Sequence, residues 1–187
     1  MHLFIPAIWM AAGFSLFAGV HFLITGAWRR REPGFLAFGL LCLLIAAYMV
    51  LTAALYETDA ATTAGQIARL KVAIMCVTYP VAVWFLCEFT DVRNRRLWLI
   101  AACLVFGDLF ILNSFSPNSL LYSNVERTVP LVFPWGESLN NFATQPSYPA
   151  YAYFASAYAF FIWAFWRCAV TWQSGLRNKA WPLTLYL

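Results

Sequence analysis

Five apolar runs divide this 187-residue chain, and the connections between them alternate between arginine-rich and arginine-poor. A helix of roughly 20 apolar residues crosses a hydrocarbon core about 30 Å thick. In lipid every backbone polar group has to be satisfied internally, so runs of this length fold as helices. They predict helices over 4–27, 34–56, 67–89, 97–115 and 148–172, with the start of a sixth at Trp181, close to the last residue, Leu187. With 63% hydrophobic and 11% charged residues, the chain has too little polar surface to coat a soluble globule of this size. The expected fold class is an all-α polytopic membrane protein. One domain over 1–187 forms an up-and-down bundle of five full transmembrane helices plus the start of a sixth.

The position of the basic residues gives the orientation. Arg29, Arg30 and Arg31 follow the first helix, Arg93, Arg95 and Arg96 follow the third, and Arg167, Arg177 and Lys179 end or follow the fifth. Only Arg69, Lys71 and Arg127 fall on the other side. The positive-inside rule makes the larger group cytoplasmic and puts the N-terminus outside. The net charge of +4 is therefore a topology signal, and no nucleic-acid partner is expected. The first helix lacks the basic leader and small-residue cleavage site of a secretory signal, so it is expected to stay as an anchor.

The connections after helices one, three and five are short and basic, and the second, over 57–65, is short and polar. The fourth covers about 32 residues, 116–147, too many for a passive connector. Its β-favouring stretches 120–125 and 129–133 flank a polar Glu126-Arg127-Thr128 turn and predict a small hairpin over the outer mouth of the bundle. Ser147 is the expected N-cap of the fifth helix, with Pro149 in its first turn. Along that helix Tyr151, Phe154, Tyr158, Phe161 and Phe165 recur at helical spacing. Ala152, Ala155, Ser156 and Ala159 lie roughly 140° away, and this small-residue face is expected to pack against neighbours while the aromatics face lipid or fill gaps, with an aromatic ligand box as the alternative.

Few residues can carry chemistry. Asp108 sits well inside the fourth helix, where a charge is costly and is expected to face the bundle interior. At 1.5 Å per residue, Asp108 and Lys71 both lie about 7–11 Å beneath the outer interface, so an Asp108–Lys71 pair is expected, with Arg69 as the alternative partner. Tyr79-Pro80 interrupts the third helix, where proline removes one backbone hydrogen bond and frees the carbonyl of Cys76. Glu88 and Asp91 lie beside Arg93, Arg95 and Arg96 and read as an interfacial charge network.

Other chemistries fail on placement. His2 and His21 lie at different depths, which excludes a bis-histidine haem. Cys42, Cys76, Cys87, Cys103 and Cys168 are all in predicted helices without a CxxC pair, and read as packing residues. No GxSxG, HExxH, Glu-x-x-His or glycine-rich phosphate loop is present, so no catalytic residue, cofactor or metal site is expected. No lysine lies deep in a late helix for a retinal Schiff base. No repeated half with broken helices marks a transporter.

The order of features is similar to a known family. Trp28-Arg29-Arg30-Arg31 ends the first helix, and Ala68-Arg69-Leu70-Lys71, Tyr79-Pro80 and Trp84-Phe85-Leu86-Cys87-Glu88-Phe89-Thr90 follow in the third. The long loop then carries Asn113, Pro117, Leu120-Leu121-Tyr122-Ser123 and Pro134-Trp135-Gly136-Glu137 before the aromatic fifth helix. This resembles the N-terminal seven-transmembrane sensor region of bacterial histidine kinases, which is also found ahead of PAS and diguanylate cyclase (GGDEF) domains. The resemblance implies a two-component or related signalling input in a bacterial plasma (inner) membrane, a homodimer, and a cytoplasmic output domain beyond a seventh helix. Only the sixth begins here, so the chain is expected to be truncated.

The expected function is a sensor module that passes a periplasmic or membrane stimulus, a small molecule or lipid, across the bilayer. Lys71, Asp108 and Tyr79 would form the switch, with Trp135 and Glu137 on the lid. The alternative is a small multi-pass transporter or channel component using Asp108, or a structural subunit of a membrane complex.

Overall fold

The computed structural model describes residues 4–29, 32–132 and 138–173; the expected lid residues Trp135 and Glu137 and the sixth apolar segment lie outside them. The elements are α1 (Phe4–Trp28), α2 (Pro33–Glu57), α3 (Ala61–Phe89), α4 (Arg95–Phe115), β1 (Tyr122–Val132), β2 (Ser138–Pro146) and α5 (Tyr148–Gln173). All five helices are long and apolar enough to cross a membrane. Four of them agree with the apolar runs to within two residues at each end. Helix α3 begins earlier than predicted, through Ala61-Thr62-Thr63-Ala64, with Ala64 N–H donating to the Ala60 carbonyl at 2.9 Å. These small, partly polar residues extend the helix without extending its apolar run.

Helix α3 is the centre of the molecule. It packs on α2 and α4, touches α5, and receives β1 at one end. In its apolar window 39% of residues are buried, against 17–22% in the other helices. Val72, Cys76, Tyr79, Val83 and Cys87 form its buried stripe and meet Ala102, Phe106 and Leu109 of α4 and Tyr153 and Ala157 of α5. The helix runs unbroken through Pro80. It ends at Thr90, followed by Asp91 with φ 49°, a left-handed residue that lets Val92 N–H reach the Cys87 carbonyl at 3.1 Å.

Helices α1 and α2 approach through glycine. A Cβ on Gly39 would meet the backbone nitrogen of Leu23 at 2.8 Å and the Gly19 carbonyl at 3.0 Å, and one on Gly19 would meet the Gly39 carbonyl at 3.1 Å. Small residues allow this backbone-to-backbone contact where neither helix has a polar stripe to organise packing. The outer surface carries large apolar side chains on every helix, including Phe17, Leu70, Leu104 and Ile162, each more than half exposed. Patches of this extent mark a surface that something other than water covers.

The hairpin is present, but its strands divide differently from the sequence reading. Glu126-Arg127-Thr128 lies inside β1, where the register shifts between Val125 and Arg127, and is not the turn. The strands close instead between Val132 and Ser138, and the returning strand is the polar Ser138–Pro146. The returning strand SLNNFATQP is poor in β-branched residues, so composition does not reveal it and pairing with β1 sets it. Ser147 caps α5 as expected: its Oγ accepts from Ala150 N–H at 3.3 Å.

On α5 the small-residue face is a correction. Ala152, Ala155 and Ala159 are exposed, as are the aromatics Tyr151, Phe154, Tyr158, Phe161 and Phe165. The packed face is a third one, Ala150, Tyr153, Ala157, Ala164, Cys168 and Thr171.

Candidate functional site

The described hairpin end of the bundle is built around one buried side chain. Asn113, 1% exposed, donates from Nδ2 to the Arg69 carbonyl at 2.9 Å, and its Oδ1 accepts Leu120 N–H at 2.9 Å. Arg69 in turn donates from Nη2 to the Ser114 carbonyl. Ser147 then ties the start of α5 to the same turn, through its N–H to the Leu121 carbonyl at 3.0 Å and its Oγ to the Leu120 carbonyl. One amide side chain thus joins α3, α4 and the base of the hairpin.

Beside this junction lies an open cavity of about 130 Å³. Tyr48 and Leu55 of α2 and Ala68, Lys71, Val72 and Met75 of α3 form two walls. Leu121 and Tyr122 come from the hairpin base, and Tyr153 from α5. The Lys71 ammonium sits 4.7 Å from the centroid of the Tyr48 ring, a cation–π contact. The polar groups of the lining side chains are this ammonium and three phenols. No lining residue is acidic. Tyr122, outside the helices, has its phenol pushed above the ordinary value by burial first and by neighbouring Tyr56 second.

The expected Asp108–Lys71 pair is not formed. Lys71 turns toward α2, whereas Asp108 is on an exposed face of α4 whose buried positions are Ala102, Phe106, Leu109 and Asn113. Arg95 pairs with Glu88 at 2.9 Å and Arg29 with Glu32 at 3.7 Å, and neither pair involves Lys71 or Asp108. Arg69 is likewise engaged with a carbonyl and not with Asp108. Matched depth fixes position along the helix axes but not the rotation about them.

Tyr79 is 6% exposed and stacks on Phe106 with centroids 4.4 Å apart. It meets Tyr153 edge-on at 6.3 Å and Phe160 at 5.1 Å. Phe160 touches Trp163 at 6.3 Å, and Trp163 meets Trp98 near the start of α4 at 5.1 Å. Aromatic rings therefore run without a gap from the cavity wall at Tyr153 to the opposite end of the bundle. There the indole nitrogen of Trp163 and Nε of Arg167 are buried without a hydrogen-bond partner, while Arg167 Nη2 donates to the Thr90 carbonyl at 3.3 Å.

Of the sequence-named residues, the structure brings Lys71 and Tyr79 to the cavity and its aromatic wall and leaves Asp108 apart. Tyr48, Tyr122 and Tyr153 were not among the named site residues. The seven-residue recurrence Ala150, Ala157, Ala164, Thr171, with Tyr153 and Phe160 beside it, marks the buried face of α5 and would have exposed Tyr153. Compared with protein-family models, curated proteins and solved structures, the chain matches none of them.

Proposed function

We propose that this chain is the membrane-embedded signal-input region of a bacterial signalling receptor, of the histidine-kinase type or of a relative with a PAS or diguanylate cyclase output. Its five helices cross the inner membrane up and down, with the N-terminus and the hairpin outside. The basic residues gathered at the ends of α1, α3 and α5 support that orientation. The carrying observation is the Lys71 cavity beneath the hairpin base, joined by a continuous aromatic column to the far end of the bundle.

A stimulus that enters the cavity displaces Tyr153 against Tyr79, beside Pro80. The helix with a missing backbone bond is the element that can take two arrangements and carry the bias inward. Asp108 supports a partner on α4, because a carboxylate on an exposed helix face inside a bilayer is costly unless protein covers it. A second copy, or further helices of a longer chain, meets that need.

The reading frame beyond the Leu187 codon tests this function. Continuation into two further apolar segments and a kinase, PAS or cyclase domain is the expected result. A stop codon directly after Leu187 would contradict it.

A further inference from the structure

The Lys71 cavity has a chemical bias that its use in signalling does not by itself specify. Its polar side-chain groups are one ammonium, with three donors, and the hydroxyls of Tyr48, Tyr122 and Tyr153. Among the described residues no carboxylate pairs with Lys71; its partner is the face of the Tyr48 ring. A cation held in a half-buried, apolar-walled space without a counter-charge is a site for an anion, since charge-assisted hydrogen bonds are the strongest available there. The remaining walls, Leu55, Val72, Met75 and Leu121, are aliphatic or thioether. The volume of about 130 Å³ exceeds the roughly 15 Å³ that one water needs, and accommodates a headgroup but not a long chain.

Resting on the signal-input reading, we infer that the cavity binds the anionic headgroup of a single-chain amphiphile, a carboxylate or a phosphate. Lys71 is the charge partner, the tyrosine hydroxyls are donors, and the first methylenes lie against Met75 and Leu121. The rest of the chain leaves through the open side of the cavity along the apolar helix surface.

Thermal unfolding of the protein in neutral-detergent micelles tests this, with laurate, dodecyl phosphate, dodecanol, dodecyltrimethylammonium and inorganic phosphate as probes. Laurate and dodecyl phosphate are expected to stabilise saturably, and dodecanol and the cationic amphiphile are not. Lys71→Gln should weaken the anionic probes at least about tenfold, as loss of a charge-assisted hydrogen bond predicts, while Lys71→Arg stays close to the parent. Tyr122→Phe, which keeps the ring, should weaken them a few-fold and serves if Lys71→Gln does not fold.

Equal saturation of parent, Lys71→Gln and Tyr122→Phe, or equal binding of all dodecyl probes, would overturn the site. Inorganic phosphate binding as tightly as dodecyl phosphate would overturn the amphiphile and identify a free anion instead. The result separates from the signalling reading. Binding by a protein whose gene stops after Leu187 keeps the site and removes the receptor. Absence of binding by one whose gene continues into an output domain removes only the ligand class.

Discussion

Asn113 joins α3, α4 and the hairpin base through two hydrogen bonds. Asn113→Ala strands the buried Leu120 N–H and should cost about 1–3 kcal/mol, seen as a lower unfolding temperature in micelles. An unchanged midpoint would show that the junction is not held this way. At the opposite end the Trp163 N–H has no partner, so Trp163→Phe should change stability by less than about 1 kcal/mol despite the residue's central place. Tyr122 adds a pH dependence. Its folded-state phenol holds its proton to higher pH than the unfolded chain, so its contribution is intact below about pH 10 and is lost as pH rises through the raised value. Tyr122→Phe should flatten the alkaline limb of a stability profile. Lys71 is legible in the sequence as one of two cations, with Arg69, at the start of an apolar run, and Asp108 as a lone anion. Their pairing is not, because depth along a helix leaves its rotation free.

Helices were legible wherever an apolar run carried them, and less so where other forces set the boundary. The first turns of α3 are held by backbone bonds among small residues, and β2 by pairing with β1 rather than by its own composition. The packing face of α5 was misread because exposed Ala152 and Ala155 have the same side chain as buried Ala150 and Ala157. Substitution separates the two faces. Ala157→Leu should destabilise by about 1–3 kcal/mol through overpacking, and Ala155→Leu should be nearly neutral. Reversal of that order would restore the small-residue face as the interface. Between α1 and α2, Gly39→Leu should part the helices and lower the unfolding temperature strongly, since even a methyl there meets backbone at 2.8 Å.

At the scale of the whole molecule, the described residues combine an apolar exterior, a donor-rich cavity at one end and an aromatic column through the centre. The column ends near Trp98, where the Glu88–Arg95 pair joins α3 to α4, so a shift of Tyr79 has a packed route to the ends of both helices opposite the hairpin. Under the proposed receptor reading, the most direct test of that coupling is the output activity of the full gene product in membranes, autophosphorylation or cyclisation according to the domain encoded. It is measured with and without dodecyl phosphate in the parent and in Lys71→Gln. The amphiphile is expected to change output in the parent and not in Lys71→Gln; a folded parent that binds it with no change in output would contradict coupling through the column.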